Sequence, residues 1–448
     1  MIALRKAFVL ASLTALYTCA PVSLGTHGWT AEAKTKRVHQ SKAAKATQRK
    51  ANPAAKASSV VAAPGANEIK ASEAVAKPLR IMSRAEILAA DPARLERIGR
   101  HVMIGYHVFA QVKALVEKRA IAGIFITDHN VRGRKPDAIK ADIDALQAIR
   151  AAQGLPPLII AADQEGGAVS RLSPPLKRQK SLAEILKGLP DDAARHTAVD
   201  DFADIQAAEL RRLGVNLNFA PVVDLNLNPK HRGDGETRLR LRAISADPQL
   251  VSKVAGWYCD AIAEAGIMCT LKHFPGLGRV SRDTHVTMGE IAASESTLEL
   301  NDWVPFREVT RKPNAVLMLG HVRVAALDKE TPASLSKPII DTLIRKSWAY
   351  DGLLITDDFS MGAITRGKGG ISKAVVASLN AGSDVVLVSY MERHLDTVMS
   401  ALLAADQAGE IDDSVRAISR KRLDRVAASN AQRAQHSAAP AMPAAKAE

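Results

Sequence analysis

The chain has 448 residues, 47% of them hydrophobic, and a net charge of +14 at pH 7. That hydrophobic share supports a sizeable core, while an aromatic content of 4% argues against a nucleic-acid module built on base stacking. The charge is uneven. Eleven Lys/Arg face three Glu between Ala31 and Arg80, so the basicity reads first as a solvated tail and second as an attachment to an anionic envelope surface.

Arg5 and Lys6 precede a short apolar stretch, Ala7 to Ala20. This is the pattern of an export signal, too short for a comfortable membrane span of about 20 residues. Residues 1–29 are assigned to that segment and 30–80, rich in Ala, Lys, Ser and Pro, to a disordered linker. The stretch 429–448 reads as a second disordered tail. An exported, periplasmic or envelope-associated monomer is expected. Thr18-Cys19 is only a weak match to a lipoprotein site. Three cysteines are too few for a disulfide framework, and Cys259 and Cys269 read as packed core thiols. No Cys/His cluster has ligand spacing, so no metal is expected.

Residues 81–428 carry one continuous α/β pattern. Strands are expected at His101–Gly105, Ala122–Thr127, Pro157–Ala162, Asn216–Val223, Met268–His273, Asn314–Gly320, Gly352–Thr356 and Ser383–Val388. Helices are expected at His196–Leu213, Pro248–Ala265, Trp303–Arg311, Lys337–Lys346, Ile371–Ala381 and His394–Ala405. Eight buried strands alternating with helices fit a (β/α)8 TIM barrel. The rival, an open doubly wound sheet, lacks a Gly-rich phosphate fingerprint after its first strand.

In such barrels the chemistry sits at the carboxyl ends of the strands. Polar groups recur there. Asp163-Gln164-Glu165-Gly166-Gly167 ends the third strand, Asp224 follows the fourth, Lys272-His273 ends the fifth, His321 follows the sixth and Asp357-Asp358 ends the seventh. Asp357 is placed either to attack an electrophilic carbon or to cap the next helix. Capping is assigned to Asp358 or Ser360, which leaves Asp357 for the pocket. Asp283 and His285 form a candidate acid/base dyad on a Gly/Pro loop, because a carboxylate on one ring nitrogen fixes the tautomer and raises the basicity of the other. Asp163, Lys272 and His273 suit sugar hydroxyls. The guanidinium forks of Arg171 and Arg242 suit a carbonyl or carboxylate.

The Asp163–Gly167 run, Lys272-His273-Phe274-Pro275-Gly276 with Asp283 and His285, and Ile355-Thr356-Asp357-Asp358-Phe359-Ser360-Met361 resemble glycoside hydrolase family 3. They are most similar to its single-domain β-N-acetylglucosaminidases, the NagZ kind. The resemblance spans about residues 85–425. It implies a retaining exo-β-N-acetylglucosaminidase that acts on cell-wall-derived peptidoglycan saccharides without a cofactor. Asp357 is then the nucleophile, His285 the acid/base and Asp283 its partner, while Asp163, Arg171, Arg242, Lys272 and His273 hold the terminal sugar. A family 3 glucosidase or xylosidase and a non-catalytic glycan-binding barrel are the alternatives. The sequence departs from the family pattern at Ala168, Leu277, Met288-Gly289 and Arg238–Arg242, where an arginine, a histidine, Leu-Pro and an Ile-Gly turn are usual.

Overall fold

The structure, a computed structural model, describes residues 79–228, 235–389 and 391–438. The expected export segment 1–29, the linker as far as residue 78 and the last ten residues of the tail lie outside the described residues.

Continuous apolar runs become strands that are covered on both faces. The barrel strands are β1 Val102–Gly105, β2 Gly123–Ile126, β3 Ile159–Ala162, β4 Leu217–Asn218, β5 Cys269–Phe274, β6 Ala315–Leu319, β7 Leu354–Asp358 and β8 Val385–Val388. They form one parallel sheet in the order β4-β3-β2-β1-β8-β7-β6-β5. Its ends meet through parallel bridges from Leu217 to Met268 and from Val222 to Lys272, which nearly close the cylinder. The TIM-barrel expectation therefore holds, with all eight strands at their expected places. Strand β4 is shorter than expected. Pro221 lacks the N–H that a ladder needs, yet Thr270 N–H still reaches the Ala220 carbonyl at 2.7 Å.

Two apolar clusters follow from this geometry. Met103, Phe125, Phe219, Met268, Met318, Ile355 and Leu387 belong to the one that fills the barrel. A larger cluster joins the strands to the surrounding helices. The expected helices are present, as Asp192–Leu213, Pro248–Glu264, Val304–Val309, a π-helix over Pro338–Ser347, Gly370–Ala381 and Met391–Ala408. Phe109–Glu117 and Pro136–Ala152 add two that the expectation omits. The last helix, Asp413–Ala438, runs past the expected tail boundary at Ser429. Its Leu423 and Val426 pack against the barrel-filling cluster.

The reading of Cys259 and Cys269 as free core thiols is corrected: they form a disulfide. Gly266, at φ +77°, turns the chain back from helix Pro248–Glu264 into β5. That return brings the two Cα atoms to 5.4 Å, inside the range a disulfide spans. Closing a loop this short constrains the unfolded chain by about 3 kcal/mol. The Cys259→Ala/Cys269→Ala double variant is therefore expected to melt several degrees below the oxidised wild type in a thermal scan. The variant and the fully reduced wild type should melt together.

Candidate active site

The strand ends open into one cavity of about 470 Å³. Asp163, Arg171, Arg242, Lys272, His273, His285 and Asp357 all line it. Asp283 stands behind His285. The structure thus brings together every residue expected in the site.

Asp357 and Asp358 end β7 and divide their work. The Asp358 carboxylate accepts the backbone N–H of Ser360 at 2.9 Å and of Ser389 at 3.0 Å, with both serine hydroxyls also bonded to it. It is fully occupied in ordering the β7 and β8 exits. Asp357 accepts the Asp358 N–H at 2.8 Å and otherwise faces the cavity. Burial alone would push the Asp357 carboxyl up. The imidazoles of His273, His321 and His285 and the Asp358 N–H outweigh it and hold the group below the usual aspartate value. Asp357 is therefore ionised at neutral pH.

His285 arrives on the loop after β5. Its Nδ1 lies 2.9 Å from Asp283 Oδ1, and its backbone N–H reaches the same oxygen at 2.9 Å. A carboxylate only accepts, so Nδ1 carries the proton of this bond and Nε2 is the nitrogen left to exchange one. Asp283 is itself fixed by the Thr237 hydroxyl at 2.9 Å and the Glu236 N–H at 2.6 Å. Burial pushes the Asp283 carboxyl up, but the bonds from His285, Thr237 and Glu236 hold it below its usual value. The loop docks beside the segment that follows β7. Gly362 N–H donates to the His285 carbonyl at 2.7 Å and Ala363 N–H to the Thr284 carbonyl at 3.3 Å. A Cβ on Gly362 would stand 2.2 Å from the Val286 carbonyl oxygen, so only glycine permits this approach.

The opposite wall is a buried charge network. Lys272 Nζ lies 2.6 Å from Asp163 Oδ1 and 2.6 Å from Glu165 Oε1. Arg242 grips Glu165 with Nε at 2.9 Å and Nη2 at 2.7 Å, and its Nη1 donates to the Thr237 carbonyl at 2.8 Å. Burial would raise the Glu165 carboxyl. Arg242 and Lys272 reverse this and bring it down to about 2. The short helix Leu239–Arg242 places Arg242 in the site despite its unusual flanks. His273 donates Nδ1–H to Asp224 Oδ2 at 2.7 Å. Asp224 also accepts the N–H of Leu277 at 2.7 Å, which ties the loop root to the barrel. Arg171 is held at the rim through its backbone N–H, bonded to the Asp163 carbonyl at 2.9 Å.

Three of these groups carried no assigned role in the sequence. Glu165 and Asp224 sit inside or beside quoted motifs, but their partners are distant in sequence. Thr237, which bonds Asp283, has no spacing signal at all. His321 is a fourth. Burial pushes its imidazole down, against the attraction of the Asp357 and Asp358 carboxylates; its Nε2–H reaches the Asp358 carbonyl at 3.1 Å and its Nδ1 faces the Ser334 hydroxyl at 2.8 Å. It fixes the backbone that carries Asp357.

A family model described as the glycosyl hydrolase family 3 N-terminal domain matches residues 95–425. The chain belongs to glycosyl hydrolase family 3. Among its family 3 relatives is a beta-hexosaminidase of Xylella fastidiosa, 35% identical over 294 residues, covering 64% of this chain and 82% of that protein. Beta-hexosaminidase LpqI of Mycobacterium tuberculosis is 32% identical over 338 residues, covering 72% and 80%. A solved family 3 β-N-acetylglucosaminidase from Paenibacillus superposes with a TM-score of 0.70 at 28% identity, spanning 78% of this chain and 65% of that one. The M. tuberculosis LpqI structure superposes with a TM-score of 0.65 at 28% identity, spanning 78% and 98%. The chain is a glycoside hydrolase, and its substrate is a carbohydrate.

Proposed function

We propose that this family 3 enzyme is a retaining exo-β-N-acetylglucosaminidase that acts on cell-wall-derived, peptidoglycan saccharides. The observation that carries this reading is the placement of Asp357 and the Asp283–His285 pair around one cavity, facing the Asp163–Lys272–Glu165–Arg242 wall. The wall fixes the sugar hydroxyls. Asp357 Oδ attacks the anomeric carbon while His285 protonates the departing glycosidic oxygen from Nε2. The glycosyl–aspartate ester forms as the C–O bond to the leaving group breaks. Water then attacks the anomeric carbon, gives its proton to His285, and releases Asp357. Retaining glycosidases usually perform this with two carboxylates. Here Asp283 stays anionic and stabilises the imidazolium that His285 becomes between turnovers.

Export supports the envelope assignment. Arg5, Lys6 and the apolar run to Ala20 fit a signal, and a disulfide between Cys259 and Cys269 suits an oxidising compartment. The basic stretch before residue 80 would then hold the enzyme near anionic wall polymer. Deleting that stretch and finding wall association unchanged would argue against this tether.

The test is hydrolysis of three 4-nitrophenyl β-glycosides, of N-acetylglucosamine, glucose and xylose. The first is expected to be cleaved fastest. Preference for glucose or xylose would contradict the sugar assignment, and binding without release of nitrophenol would contradict catalysis. The acid role of His285 has its own signature. His285→Ala should lower kcat/KM by about 10²–10⁴-fold on a β-linked disaccharide. A dinitrophenyl glycoside, whose leaving group needs no proton, should lose far less in the same parameter. Equal losses on both substrates would remove His285 from the acid position.

A further inference from the structure

A second cavity opens off the first, away from Asp357. It measures about 270 Å³, and Asp128, Arg132, Ala168, Arg171, Ser173 and Arg178 are among its lining residues. Asp128 and Arg171 line both cavities, so the two share a rim. The direction follows from the topology. Asp128 follows β2, and the other five follow β3 or, for Arg132, the same exit as Asp128. Strand β3 is four places from β7 whichever way the barrel is traced. A sugar whose anomeric carbon faces Asp357 therefore turns its far edge toward Asp163, Arg171 and the second cavity. That edge carries the ring hydroxyls remote from the scissile bond.

The charge in this cavity is unbalanced. Three guanidinium groups meet one carboxylate. Arg132 pairs with Asp128 at 2.6 Å, whereas the guanidinium groups of Arg171 and Arg178 have no ion-pair or hydrogen-bond partner among the described residues. Ala168, also in the lining, contributes only a methyl group. A planar guanidinium fork matches a carboxylate, sulfate or phosphate with two parallel hydrogen bonds. An uncharged hydroxyl makes no such paired, charge-assisted contact with these exposed guanidinium groups.

We propose that the enzyme accepts a terminal N-acetylglucosamine carrying an anionic substituent on a hydroxyl remote from the anomeric carbon, and that Arg178 and Arg171 hold this anion in the second cavity. This rests on the sugar assignment made under the proposed function and extends it to the far edge of the ring. The anion adds no chemistry to bond cleavage. It orients the ring and selects the substrate.

The experiment compares four 4-nitrophenyl β-glycosides: unsubstituted N-acetylglucosamine, its 3-O-carboxyethyl ether, its 4-O-sulfate and its 6-O-sulfate. The wild type and Arg178→Glu are assayed at low and high salt. At least one anionic substrate should match or exceed the unsubstituted one in kcat/KM with the wild type, and which one does so locates the anion on the ring. Arg178→Glu should cut kcat/KM on that substrate by about tenfold or more, the worth of one charge-assisted contact, and high salt should shrink the difference. The unsubstituted substrate should be unaffected by the substitution. Cleavage of the unsubstituted substrate with none of the three anionic ones turned over would overturn the proposal. So would equal effects of Arg178→Glu on charged and uncharged substrates. Cleavage of none of the four would instead bring down the sugar assignment itself.

Discussion

Asp357→Ala is expected to abolish turnover of the chromogenic N-acetylglucosaminide, by about 10⁴-fold or more, while leaving the fold and sugar binding in place. The asymmetry comes from how the carboxylate is held. The Asp357 carboxylate accepts one hydrogen bond among the described residues, from the Asp358 N–H at 2.8 Å, so its removal disturbs little of the barrel mouth. Asp358 is the opposite case. Its oxygens gather two backbone N–H groups and two hydroxyls from β7 and β8, and Asp358→Ala should lower stability together with activity. Comparing the two variants by melting temperature and by kcat separates chemistry from scaffolding. Loss of stability in Asp357→Ala with residual activity would reverse the assignment. The acid side of the pH profile tests the same carboxylate. Because the Asp357 carboxyl is held below its ordinary value of 3.8, its protonation should cost kcat/KM only below that pH.

The second large effect is expected at Glu165. Its carboxylate is buried and shared by Arg242 and Lys272 at 2.7 and 2.6 Å. Removing one member of such a network leaves the others as uncompensated buried charge, at a cost of about 3–5 kcal/mol. Glu165→Ala should therefore unfold at markedly lower denaturant and should also raise KM, since Lys272 and Arg242 line the cavity proposed to hold the sugar. The pH dependence has a definite sign. The Glu165 carboxyl is lowered from 4.5 to about 2 in the folded protein, so the native state favours the ionised form. Its contribution is complete above about pH 4.5 and is lost as the pH falls toward 2. Denaturation curves at pH 6 and pH 3 should show a larger loss in the wild type than in Glu165→Gln. Identical losses would mean that another group governs acid unfolding.

Much of the barrel was legible because its strands are covered on both faces. Ile124-Phe125-Ile126 and Val385–Val388 are apolar runs with no polar alternation, which only a buried parallel strand requires. Strand β4 was less so, since Pro221 breaks its ladder and the pairing with β5 continues through isolated bridges. Helix Pro136–Ala152 was readable in principle: Ile139, Ile143 and Leu146 recur at helical spacing and are buried. Its charged outer face masks that stripe. In the site, the local motifs named Asp357, Asp283, His285, Lys272 and Asp163. What they could not name were partners set by tertiary folding. Thr237 reaches Asp283 across 46 positions, and Asp224 reaches His273 across 49. The Cys259–Cys269 bond is of another kind. Its separation of 10 residues is short, but only the turn at Gly266 makes the two sulfurs face each other.

The central claim is that one aspartate becomes covalently bonded to the sugar. The most direct measurement is mass spectrometry of the enzyme after reaction with a fluorinated N-acetylglucosaminyl fluoride that slows release of the intermediate. Digestion should yield one peptide heavier by the mass of the fluorosugar, with the ester on Asp357. An ester on any other residue, or steady turnover of the reagent with no labelled peptide, would contradict the account.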